Sequence, residues 1–331
     1  MSKTMLAILR ILEKYQSSVM GSREISRQLK LYGIELTERT VRYHLKILDE
    51  RGLTRVFGKE GRQITELGVE ELSKSHVSDR IGFIISKIET LAYQTTFDAD
   101  KGSGKLILNV SFFPEEALAH AIQVIGQVMQ TPYVMSNRVI LAREGRSIGD
   151  MEVPEGMVGL GTVCSVTING IFLKAGIPVT SRFGGLVQVD EHGPQRFVSV
   201  IGYEGSSMDP HLIFIKSGMT SVSDAVAGKG GNILASFREF PVVCFDQAEE
   251  IRARLAQAGV GGILEIGNPN QPLLEMPVGM DRAGLVVVGG LNPVAAMEEA
   301  GIPTENTAMS ILVDYAELVP FDEAARAVGG K

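Results

Sequence analysis

Arg39, Arg42 and Lys46 share one arc of a helix predicted from Glu38 to Arg51, and Val41, Leu45 and Leu48 share the opposite arc, at about 100° per residue. The apolar arc can dock on neighbouring helices while the cationic arc meets a polyanion. Guanidinium groups near the start of such a helix can reach base edges in a DNA groove, and an ammonium such as Lys46 can hold phosphate. Tyr43 lies beside the cations, Thr37 is placed to cap the helix, and Thr40 and Arg23 complete a candidate set of DNA contacts.

Other elements must hold that helix in place. Met5, Ile8, Leu9 and Leu12 recur at i, i+3, i+4 and i+7 and predict a first amphipathic helix. Ser22 is expected to cap a second helix, with Glu24 in its first turn, and Tyr32-Gly33 ends it. Gly52 stops the third. Leu53–Phe57 and Gln63–Thr65 read as a hairpin whose turn carries Lys59 and Arg62, and its tip would lie along the DNA backbone or minor groove. Thr65 caps a short fourth helix through Leu72. This order over residues 1–76 resembles the winged-helix class. A basic recognition face and a basic hairpin together favour binding to double-stranded DNA. Winged helices also serve as protein-docking modules, and that reading stays open.

Charge is distributed unevenly. Residues 1–76 carry 14 Lys and Arg against 10 Asp and Glu, while residues 77–331 carry 18 against 29, so the net charge of −7 conceals a basic N-terminal region. With 331 residues, 44% of them hydrophobic, the chain can build two or three domain cores, and 21% charged residues argue against wholesale disorder. Cys164 and Cys244 form neither a disulfide framework nor a metal-ligand spacing, and read as thiols of a reducing compartment. No secretory pattern opens the chain. The longest apolar runs, such as Gly284–Leu291, are too short to cross a bilayer, so a cytoplasmic protein without a membrane partner is expected.

Catalytic constellations are not found. Gly228–Gly231 lacks the spacing of a phosphate-binding loop, and Gly259–Gly262 is not a dinucleotide fingerprint. His44, His76, His120, His192 and His211 sit at no metal-binding interval, and nothing resembles a nucleophile elbow. Neither an enzyme nor a bound metal or cofactor is expected.

Residues 77–331 open with a polar joint, His76–Arg80, and a helix marked by Ile81, Ile84, Ile85, Ile88, Leu91 and Ala92. This helix could connect the domains or pair with its copy in a dimer. Beyond it the sequence repeats. Glu152–Met157 matches Glu275–Met280. Each copy leads through a glycine-flanked apolar run to an asparagine, Asn169 or Asn292, and then to Ala-Gly-Ile-Pro at 175–178 or 300–303. Two related halves, about 104–220 and 233–322, are expected, with a small-molecule cleft between them. The fold class is thus α+β: an N-terminal winged helix-turn-helix followed by an internally duplicated α/β regulatory domain.

The joint and the first half resemble the NrpR family of nitrogen regulatory repressors. The resemblance is carried by Asp79–Phe83, Lys87–Glu89 and Leu91–Asp98, and by Val163–Gly170 continuing through Lys174–Pro178 to Phe183–Gly185. It implies a homodimeric repressor of nitrogen-assimilation genes whose DNA binding is weakened by 2-oxoglutarate. A dicarboxylate needs cationic or hydrogen-bonding partners. The candidates are Lys174, Arg182 and Arg282, with Thr167, Asn169, Ser181 and Asn292, and Cys164 within the most distinctive block. A different small-molecule effector, or an enzyme fused to a DNA-binding domain, are the competing readings.

Overall fold

The computed structural model describes residues 3–15, 18–31, 33–58, 60–73 and 82–329. Lys59 and the joint His76–Arg80 lie outside them. The chain divides into two units, residues 1–80 and 81–331.

In the first unit, helices α1 (Lys3–Lys14), α2 (Ser22–Leu31) and α3 (Glu38–Glu50) precede strands β1 (Thr54–Phe57) and β2 (Gly61–Ile64) and helix α4 (Glu66–Ser73). The apolar stripe of α1 is buried, as are Ile25 and Leu29 of α2 and Val41, Leu45 and Leu48 of α3. Thr37 caps α3 by accepting from the Thr40 amide, and Thr65 caps α4 by accepting from the Gly68 amide. Ser22 does not behave as the expected cap. The first helical bond of α2 runs from the Ile25 amide to the Gly21 carbonyl, so Ser22 lies inside the helix with its hydroxyl turned to Glu38. Gly33, at φ +68°, ends α2 in the left-handed region. β1 and β2 form an antiparallel hairpin, and Met20 bridges to Arg62 on its free side. That crossing requires Gly61, where a Cβ would lie 2.2 Å from the Met20 carbonyl oxygen.

The second unit opens with α5 (Phe83–Gln94), followed by β3 (Lys105–Pro114), α6 (Leu118–Met129), β4 (Arg138–Arg143), the short strands β5 (Ser147–Ile148) and β6 (Met151–Glu152), β7 (Met157–Val163), α7 (Val166–Lys174), β8 (Thr180–Asp190) and β9 (Gly193–Gly202). It continues with α8 (Pro210–Lys216), α9 (Val222–Val226), β10 (Gly231–Pro241), α10 (Phe245–Gln257), β11 (Ile263–Ile266), β12 (Arg282–Val288), α11 (Asn292–Glu299), β13 (Glu305–Asp314), β14 (Val319–Pro320) and α12 (Phe321–Gly329). Two five-stranded antiparallel sheets result, ordered β13-β3-β7-β4-β14 and β11-β12-β10-β8-β9.

The element order of β3 to β8 recurs in β10 to β13, but each copy gives its last strand to the other sheet. β8 pairs with β10, and β13 pairs with β3. The exchange joins both sheets to one continuous core. α5 belongs to this unit as a packed element: Ile84, Ile88 and Ala92 share a smaller core with Ile107, Cys164, Val166, Tyr203 and Met309. Gly170 lets α5 and α7 meet closely, since a Cβ there would lie 2.4 Å from the Thr95 Cβ and 2.7 Å from the Ala92 carbonyl oxygen.

Candidate nucleic-acid interface and buried polar cluster

The outward face of α3 carries Arg39, Arg42, Tyr43 and Lys46, all exposed. They are not equivalent. Arg39 has no ion-pair partner among the described residues. Arg42 is held by Glu38, one turn back, and by the Ser22 hydroxyl. Glu38 also lies 3.9 Å from Arg23. The Arg42 guanidinium, and then the Ser22 hydroxyl, keep the Glu38 carboxyl below its ordinary pKa. Lys46 makes only a surface pair with Glu50, at 3.8 Å, which costs little to break. Thr40 hydrogen-bonds the cap hydroxyl of Thr37. These two therefore organise the helix start from which Arg39 projects.

Arg62 departs from the expected role on the hairpin. Its Nε donates to Asp49 at 2.8 Å, and its side chain is only 21% exposed. Asp49 accepts a second bond from the Thr54 hydroxyl at 2.6 Å. Arg62 thus ties the hairpin to the C-terminal end of α3 instead of standing free at the tip.

In the regulatory unit the sequence-derived candidates separate into three groups. Thr167 and Asn292 are internal fasteners. The Thr167 hydroxyl accepts from the Ile107 amide, and the Asn292 Oδ1 accepts from the Leu234 amide at 2.8 Å. Asn292 Nδ2 donates to the carbonyls of Leu234 and Tyr133. Ile107 and Leu234 each lie seven residues before the proline that ends β3 or β10. Thr167 and Asn292 each lie eight residues before the alanine that ends α7 or α11. The repeat therefore equates Asn292 with Thr167, and the expected Asn169–Asn292 match is corrected by two residues.

Lys174, Arg182 and Arg282 form a peripheral group. The Lys174 ammonium sits over the Tyr93 ring, 5.3 Å from its centroid. Arg182 lies 3.8 Å from Glu239 and against the Phe183 ring. Arg282 begins β12 and packs against Gly279, whose amide donates to Glu239.

Cys164, Asn169 and Ser181 make up the third group, and the structure adds a residue that sequence reasoning missed. Arg238, in β10, is 1% exposed, and neither its Nε nor its Nη1 has a hydrogen-bond partner. Ser181 is its cross-strand partner, and the Asn169 Nδ2 donates to the Ser181 hydroxyl at 2.9 Å. The Asn169 Oδ1 is likewise buried and unpaired. A β-bulge shapes this place: Phe183 pairs with Phe237 and Ser181 with Arg238, so Arg182 is the extra residue. The Arg182 carbonyl accepts from the Tyr203 amide. Tyr203 and Cys164 are the groups that Arg238 interacts with electrostatically. Burial pushes the Cys164 thiol up to about 11 and the Tyr203 phenol upward, so both are neutral near pH 7. The same desolvation lowers Arg238 to about 10, which leaves it cationic. A buried cation is thus left without a counter-ion, an arrangement that costs several kcal/mol by the general rule for unpaired internal charge, about 3–5 kcal/mol.

Residues 81–320 match the family described as NrpR regulatory domains NRD1 and 2, and residues 6–72 match the ribonuclease R winged-helix domain family. The chain is 36% identical over 313 residues to the global nitrogen regulator NrpRI of Methanosarcina mazei, covering 95% of this chain and 96% of that protein. The global nitrogen regulator NrpR of Methanococcus maripaludis is 32% identical across 91% of this chain, which spans only 52% of that relative's length. A crystal structure of a nitrogen repressor-like protein from Methanococcus jannaschii superposes with a TM-score of 0.61 at 30% identity, covering 71% of this chain and 97% of that one. On the match to the regulatory domains and the near full-length likeness to a global nitrogen regulator, the chain belongs to the NrpR family.

Proposed function

We propose that the chain is a sequence-specific DNA-binding repressor of nitrogen-assimilation genes, and that 2-oxoglutarate bound to the regulatory unit weakens its hold on DNA. The observation that carries the DNA-binding half is the polarity of α3, with Val41, Leu45 and Leu48 fully buried and Arg39, Arg42, Tyr43 and Lys46 exposed on the other side. In this reading Arg39 approaches base edges, Lys46 holds phosphate, and Arg23 and Arg42 are poised around Glu38. A homodimer would present two such helices to a palindromic operator. Membership of the NrpR family supports the nitrogen role, since the relatives are named global nitrogen regulators.

For the effector to act, it must bind the weak-binding form better than the strong one. α5 is a natural relay. It follows the joint to the winged helix, and its buried face shares a core with Cys164 and Tyr203. A ligand that rearranged that core would shift α5.

The test is a gel-shift titration of the purified chain on the promoter of its host's nitrogen-assimilation operon, with and without millimolar 2-oxoglutarate. Specific binding that weakens with the acid is the expected result. Binding that ignores it would replace the effector, and failure to bind any fragment would replace the DNA-binding role with protein docking.

A further inference from the structure

The two sheets place a buried polar pair at the same point, and only one pair is charged. Arg238 stands three residues before Pro241 at the end of β10, and Ser111 stands three residues before Pro114 at the end of β3. Ser181 is the second residue of β8, and Asn306 is the second residue of β13. Arg238 faces Ser181 across one ladder, and Ser111 faces Asn306 across the other. The Ser111 hydroxyl and the Asn306 Oδ1 are also buried without partners. The repeat has therefore kept a polar position inside each sheet and put a cation in only one.

We propose that Arg238, with Asn169 and Ser181, is a binding site for one carboxylate group of a small organic acid, and that each chain holds one such site and not two. This rests on the effector-sensing reading above and adds the residues and the stoichiometry. Arg238 supplies unpaired N–H donors where no described carboxylate bonds to it. Turning the Asn169 amide end for end keeps its bond to Ser181, with the hydroxyl now donating to Oδ1, and frees the NH2 group to donate to the same ligand oxygen. A single guanidinium with neutral hydrogen-bonding neighbours matches the single charge of a carboxylate. A phosphate dianion would call for further cations, and Lys174, Arg182 and Arg282 all have other surroundings. Arg182, the bulged residue, sets the register that brings Ser181 opposite Arg238 and is a positioning residue.

Binding is measured by titration calorimetry on the full chain with 2-oxoglutarate, glutarate and inorganic phosphate as probes. The wild-type chain is expected to bind a carboxylate at one molecule per chain and phosphate at least 10-fold more weakly. Arg238→Met should weaken the carboxylate by 100-fold or more, while raising the thermal midpoint of the ligand-free protein, because an uncompensated buried charge is removed. Ser181→Ala should weaken it about 10-fold, and Ser111→Ala should leave it unchanged. If Arg238→Met does not fold, Ser181→Ala and Asn169→Leu carry the test. 2-Oxoglutarate binding that survives Arg238→Met within 3-fold, or two molecules bound per chain, would overturn the site while leaving the effector reading intact. Glutarate binding through Arg238 with no response to 2-oxoglutarate would keep the site and overturn that effector. A wild-type chain that binds none of the probes, or prefers phosphate, would overturn the site.

Discussion

Replacing Arg62 by Met separates two roles that the hairpin cation could have. The Arg62–Asp49 bond is 2.8 Å long and about four-fifths shielded from water, and Asp49 also takes the Thr54 hydroxyl. A hydrogen bond to a charged group contributes about 1.5–3 kcal/mol, and the remaining exposure brings this down to about 1–2 kcal/mol. That is a 5- to 30-fold change in a local opening equilibrium. Native-state hydrogen exchange should therefore show the β1 and β2 amides losing protection by about 5- to 30-fold in Arg62→Met. The salt dependence of DNA affinity should stay as in the wild type, because a side chain bonded to Asp49 displaces no counterion. Lys46→Met gives the opposite pattern: unchanged protection, and a log–log salt slope smaller by about 0.9. The reasoning fails if Arg62→Met reduces the slope by about 0.9 while hairpin protection is unaltered, since Arg62 would then leave Asp49 for phosphate.

Asn292→Ala should destabilise the regulatory unit by about 2–4 kcal/mol, since it strands the buried Leu234 amide and opens a small void, and the urea midpoint reads this directly. A loss under about 1 kcal/mol would return Asn292 to the list of ligand contacts. Gly170→Ala should lower the melting temperature, although helix propensity alone favours alanine by about 1 kcal/mol, because the added Cβ meets Thr95 and the Ala92 carbonyl; a raised melting temperature would contradict the close α5–α7 approach. In a thiol-reagent assay at pH 8 the native chain should react at the partly exposed Cys244 and not at buried Cys164. Since Cys164 is raised from 9.0 to about 11 in the folded state, the unfolded chain gives up that proton first, and stability should fall as pH rises across that interval. Rapid modification of both thiols in the native protein would refute this burial.

Local chemistry accounts for what could be read before the structure. The opposite arcs of α3, the apolar stripe of α1, the caps at Thr37 and Thr65 and the stop at Gly33 all depend on residues within one or two turns. Helical period and cap geometry act at that range, and so the winged-helix order was legible. Ser22 was misplaced because the carbonyl that starts α2 belongs to Gly21, and no side-chain signal marks it. Arg238 carried one overlooked signal, a lone charge in the apolar run Ile233–Phe240.

By itself the sequence determined that there is a basic helix-turn-helix region, a duplicated regulatory region and a family resemblance, because periodicity, composition and repeated strings are properties of consecutive residues. Tertiary structure decided which cations are free and which are held. Arg62 meets Asp49, and Arg42 meets Glu38 and Ser22. The pairing of β8 with β10 brings Ser181, drawn from one copy of the repeat, against Arg238 of the other. That pairing joins residues 57 positions apart, and its register depends on a bulge at Arg182. Strand exchange between the copies is a choice among partners with similar apolar patterns, made by the packing of the whole core and not by any one segment.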